Sequence, residues 1–199
     1  MKTSLIAIVT FLLVFNYVKL NNNASHKSIN YRSNDITDLV RKTIFKEYIE
    51  FLLRDGGIWE TNDPKYESDK KYSAKTHKIT YYRGIHSEIV SLKIESDLND
   101  VGWYKGWEGY YLWHPVDKEI KYHAISGAGL ISNGSIIHFD KNKKVNVFEI
   151  LSYEGKKSIH KDVEVIVDQK TIKNSSYVLN KDGNWDLQGE FIWKRKIKD

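Results

Sequence analysis

Between Trp107 and Gly129 the chain reads WEGYYLWHPVDKEIKYHAISGAG. Glu108, His114 and His123 fall inside this stretch and His138 follows it. A histidine beside a carboxylate can move a proton, so Glu108 with His114, His123 or His138 is the candidate set for acid–base catalysis. The pair His123 and His138, joined by Glu108 or Glu149, has the donor types of a divalent-metal site. Neither chemistry is backed by a motif. The chain has no nucleophile elbow, no phosphate loop and no H-E-x-x-H, and without cysteine there is no thiol chemistry. These histidines are expected at the surface or rim. No metal site is assigned, and the cofactor, if any, is unknown.

A second set of residues suits binding. Aromatic residues make up 13% of the chain, with six Trp and thirteen Tyr, and such rings favour strands and lined cavities. On 107–114 one face holds Trp107, Gly109, Tyr111 and Trp113, the other Glu108, Tyr110, Leu112 and His114. On 119–126, Ile120, Tyr122 and Ala124 oppose Lys121, His123 and Ile125. Neither face is plainly polar, which is the pattern of an apolar pocket wall carrying a few polar groups. The expected ligand is a small, mostly apolar molecule held among Trp107, Tyr111, Trp113, Tyr122, Phe139 and Trp193. Two alternatives stand beside it: an enzyme of the same fold, and an interaction protein in which the rings only fill a core.

The elements that position these residues follow from periodicity. Residues 35–54 form the one convincing helix, with Asn34 as cap and Asp35 and Asp38 in the first turn. Ile36, Leu39, Val40, Ile44, Tyr48 and Phe51 share a face, and Phe45, Ile49, Leu52 and Leu53 make the last turns apolar all round. Gly56-Gly57 stops the helix. From Ile58 onward the period is two. The stretch 61–76 is a long loop or an edge hairpin, and 95–105 is a loop or bulge. Strands are expected over 77–82, 88–94, 107–114, 119–126, 135–140, 145–152, 160–168, 175–179 and 185–195. Asn133-Gly134 and Asp182-Gly183 read as hairpin turns. In the last strand Trp185, Leu187, Gly189, Phe191 and Trp193 should face inward; Val163, Val165 and Val167 share a face against Asp162 and Glu164.

No connection is long enough for a crossover helix, so sequence neighbours must pair antiparallel. The fold class is mainly β: an antiparallel up-and-down barrel of about nine or ten strands, with one N-terminal α-helix closing an end. A two-sheet sandwich is the competing arrangement, but one helix is enough to plug a barrel and too little to cover an open sheet.

With 199 residues the chain can bury one substantial core. Lys2 and the apolar run Leu5–Val18, shorter than a membrane span, form a signal-peptide pattern ending near Ala24. The division is therefore 1–24 signal peptide, 25–34 flexible leader and 35–199 a single barrel domain, exported to the periplasm or the extracellular space. Removing 1–24 takes away Lys2 and Lys19 and no acid, lowering the formal charge from +5 to +3. Only five of the 31 basic residues are Arg, the better tool for phosphate, so no nucleic-acid partner is expected. Nor is a membrane span expected after cleavage, and the oligomeric state is unknown. The basic end WKRKIKD reads as a solvated strand end.

The stretch GWEGYYLWHPVDKEIKYHAISGAGLISNGSI resembles the central strands of lipocalin-like (calycin) barrels of bacterial exported proteins. DGGIWE resembles their opening strand, in which a Gly and a Trp close the barrel bottom, and DGNWDLQGEFIWKRK is similar to their closing strand. The resemblance covers roughly 56–195. It implies a barrel around a small-molecule cavity and, in many members, no known activity. Some barrels of this general kind bind haem through a histidine, but their opening Gly-x-Trp-x-Gly lacks its last Gly here, where Glu60-Thr61 follows Trp59.

Overall fold

A computed structural model describes residues 38–197. The expected signal peptide, the leader, the Asn34 cap and Ile36 lie outside the described residues. Within them a helix, α1 (Asp38–Leu53), is followed by ten strands: β1 (Ile58–Asn62), β2 (Ala74–Arg83), β3 (Ile89–Leu98), β4 (Gly102–His114), β5 (Glu119–Ser126), β6 (Ile131–Phe139), β7 (Lys143–Leu151), β8 (Lys157–Asp168), β9 (Thr171–Leu179) and β10 (Trp185–Lys196). Each strand pairs antiparallel with its sequence neighbours, and β1 pairs with β10, so the sheet closes into a barrel without an edge. The sandwich is thereby excluded. No helix among the described residues is long and apolar enough to cross a membrane.

Closure is built at one end by α1. Phe45, Tyr48, Ile49 and Leu52 are buried, each burial contributing about 1.5–3 kcal/mol. The expected face is buried only in its later part: Leu39 is 74% and Val40 47% exposed, while Tyr48 is buried and Ile44 and Phe51 pack against the core. The last turns are buried as expected, with Phe45, Ile49 and Leu52 beside Tyr48. A short 3-10 turn, Arg54–Gly56, ends at Gly57 in the left-handed region at φ 72°. A side chain on Gly57 would strike the Tyr81 carbonyl oxygen at 2.3 Å, so this stop needs glycine for both conformation and space.

Trp59 and Arg195 complete the plug. The Trp59 indole donates to the Leu52 carbonyl at 3.2 Å. Arg195, opposite it on β10, lies 4.3 Å over that ring and donates to the carbonyls of Arg54 at 2.8 Å and Phe51 at 2.7 Å. It thus satisfies acceptors that a helix C-terminus leaves unpaired. The basic terminal cluster is not uniformly solvated, because Arg195 is buried between exposed Lys194 and Lys196.

Two expected turns fared differently. Asp182-Gly183 is a hairpin turn, with Gly183 at φ 80°. Asn133-Gly134 is not: both residues lie inside β6, and the reversal falls instead after Ser126, where Gly127 and Gly129 supply the loop. Gly134 is needed for space. A Cβ there would sit 2.3 Å from the Val147 carbonyl oxygen and 2.5 Å from Phe148 Cβ. Its absence lets Tyr122 and Phe148, register neighbours on either side, bring their rings within 5.5 Å. The expected loop at 95–105 shrinks to residues 99–101, with a register shift after Ile94.

Candidate functional site

The barrel interior holds a partly open cavity of about 110 Å³. One side is aromatic and aliphatic, with Trp59, Tyr81, Tyr111, Tyr122 and Trp193 on the wall; the other is polar, with Asp162, Glu164, Asn174 and Ser176. The polar side comes from β8 and β9, whose register sets Asp162 opposite Ser176 and Glu164 opposite Asn174.

The two carboxylates have different surroundings. Lys144, buried on β7, pairs with Glu164 at 2.7 Å. Tyr48 of α1 donates to the other Glu164 oxygen at 2.6 Å, and the Lys144 ammonium lies 3.3 Å from the Tyr111 hydroxyl and 4.4 Å above its ring. Glu164 is therefore a satisfied member of a network that ties the helix plug to three strands. Asp162 accepts a hydrogen bond from Ser176 at 2.6 Å. Burial pushes its carboxyl up to about 6, with the Glu164 charge adding to the rise and Ser176 and Lys144 opposing it. Burial likewise raises the Tyr48, Tyr81 and Tyr111 hydroxyls well above their ordinary value, with the Glu164 charge second. The Asn174 Oδ1 atom is fully buried and has no hydrogen-bond partner.

This polar wall reverses the expected phase of β8. Val165 and Val167 are 37% and 60% exposed, while the His160–Asp162–Glu164 face lines the interior. The valines instead meet outside, where Val163 stands opposite Val145. Asn174, just before the strand expected over 175–179, is on β9 and faces inward. In β10, Phe191 and Trp193 are buried, but Leu187 is 55% exposed because a register shift between Leu187 and Gly189 turns it outward.

Of the six residues expected to hold a ligand, Tyr111, Tyr122 and Trp193 line the cavity. Trp107, Trp113 and Phe139 are buried in the surrounding core, where Phe139 packs edge-on to Phe45 and Tyr48 of the plug. The four residues considered for acid–base work are not brought together at the cavity. Glu108 pairs with Lys105 at 2.9 Å, His114 with Asp117 at 3.3 Å and His138 with Asp140 at 2.9 Å. His123 lies 2.7 Å from the Asn133 side-chain oxygen on the outer face.

Two other histidines do face inward. His160 stacks on Phe148 at 5.5 Å, and burial lowers it to about 4. His77 is 1% exposed, with Nδ1 2.8 Å from the Ser96 hydroxyl and Nε2 3.0 Å from Asp63. Ser, His and Asp are the residue types of an acyl-transfer triad, but Ser96 is buried and does not line the cavity. The trio instead anchors the β1–β2 loop: burial acts to raise the Asp63 carboxyl, but the bonds from His77 and the Lys65 amide outweigh it and hold it below its usual value. Among the described residues no three His, Asp or Glu side chains gather as a metal-binding group.

No protein-family model matches the chain, and a search of the curated proteins gives no significant match.

Proposed function

We propose that this chain is an exported lipocalin-like barrel that holds a small, mostly apolar ligand in its interior. The carrying observation is the interior cavity of about 110 Å³ with aromatic and polar walls. An apolar cavity of roughly 150 Å³ accommodates a benzene ring, so the space suits a molecule of about five or six heavy atoms. Support for the lipocalin-like reading comes from the plug, where Gly57 and Trp59 close the barrel bottom.

Two tryptophans on the wall, Trp59 and Trp193, make the reading measurable. Titration with 1-butanol or cyclopentanol should change the intrinsic emission saturably. Ile172→Phe, which adds a ring to the cavity wall, should abolish the response and leave the fold intact by circular dichroism. A wild-type protein that does not respond to small solutes, and gains no thermal stability from them, would instead be a filled scaffold whose work is done on its outer surface.

A further inference from the structure

The polar wall points to the kind of ligand, on the reading that the cavity is a binding site. Of its two carboxylates, Glu164 already has a cation and a hydroxyl donor. Asp162 has only the Ser176 hydroxyl among its hydrogen-bonding partners. Asn174 Oδ1, in the adjacent strand, is a fully buried acceptor with no donor. Two under-used acceptors therefore stand on neighbouring strands of one cavity, and an unsatisfied buried acceptor costs on the order of 1–3 kcal/mol.

Charge sets the same requirement. The ionisable groups around this wall are Lys144 from β7, Glu164 and His160 from β8, His77 from β2 and the tyrosines from α1, β2, β4 and β5. Lys144 is the one lysine among them and is committed to Glu164. Facing the acceptors are the rings of Trp59, Tyr81, Tyr111, Tyr122 and Trp193, and aromatic faces attract cations. A bare divalent ion does not fit this arrangement, since it would ask for six or so oxygen ligands where the wall offers two uncommitted acceptors among rings.

We propose that the cavity binds a short-chain primary alkylammonium, its N–H groups donating to Asp162 and Asn174 and its alkyl chain lying against the aromatic wall. A primary ammonium has three donors and no acceptor, which matches the wall's deficit. The volume limits the chain to roughly four or five carbons. At pH 8 Asp162 is ionised, its carboxyl being pushed only to about 6.

The test uses the full chain at pH 8 with n-butylammonium, 1-butanol and butyrate as probes, followed by calorimetry and tryptophan emission. n-Butylammonium should bind at least tenfold more tightly than 1-butanol, and butyrate should not bind. Asp162→Asn should remove that preference. Asn174→Leu should weaken n-butylammonium severalfold. Equal affinity for the cation and the alcohol in the wild type, or a preference that survives Asp162→Asn, overturns the amine proposal but keeps the binding cavity. No binding of any probe to the wild type overturns both readings. Because the wild type alone compares cation with alcohol, the proposal is exposed even where a variant fails to fold.

Discussion

At the scale of single residues, the interior holds two ionisable groups whose pH dependences oppose each other. Asp162 is raised from 3.8 to about 6 by burial. Its folded value lies above its unfolded one, so the stabilising contribution is complete below pH about 4 and is lost as pH rises through about 6. Asp162→Asn should then stabilise the protein above pH 7 by on the order of 2–3 kcal/mol, with little effect at pH 4. His160 is lowered from 6.5 to about 4 by burial. That depression favours folding above pH 6.5 and is lost as pH falls through about 4. His160→Gln should remove that acid-side loss, seen as a denaturation midpoint that rises as pH falls from 6.5 to 4, where the wild type stays nearly level. In the wild type the two slopes partly cancel over pH 4–6, so each variant should uncover the other's trend. The sequence made such residues hard to see. Alternation gives the phase of β8 but not which phase is inside, and valine against aspartate normally decides it. Here Val163 has Val145 opposite it on β7, while Lys144 and Tyr48, distant in sequence, make an inward acid tolerable. Part of the aromatic wall was legible because its rings recur at every second residue, Tyr111 between Trp107 and Trp113 and Trp193 after Phe191.

At the scale of elements, α1 depends on one side chain of the last strand. Replacing Arg195 by Leu would leave the Phe51 and Arg54 carbonyls without their guanidinium donors and should cost about 2–4 kcal/mol in chemical denaturation. Arg195→Lys should recover less than half, since an ammonium cannot reproduce the planar fork that also lies over Trp59. Hydrogen exchange should locate the damage, with amides of 45–53 losing protection before those of β4 and β5. The helix, its glycine stop and most strands were readable from spacing and turn residues. The misplaced hairpin at Asn133-Gly134 has a clear reason: a glycine chosen for close approach of backbone and ring is indistinguishable, in one sequence, from a glycine chosen for a turn. Arg195 was hidden for a similar reason, standing in a run of lysines that do face water.

At the scale of the whole molecule, antiparallel pairing of neighbours follows from short connections, which were accessible from the chain; the sequence left the strand count at nine or ten, and the closed barrel has ten. What they did not reveal is how little space is left inside: about 110 Å³, set by how rings from six or more strands meet and by where glycines let them through. The plug also has a temporal consequence. Arg195 lies 141 residues beyond Arg54 and 144 beyond Phe51, so a ribosome releases the helix long before the side chain that secures it. Contacts of such separation make folding slow. A nascent chain should stay open, and digestible by protease, until β10 emerges. A version ending before Trp185 should remain cleavable within α1, while the full chain resists. Until its last strand is made, the chain has no side chain with which to hold its plug in place.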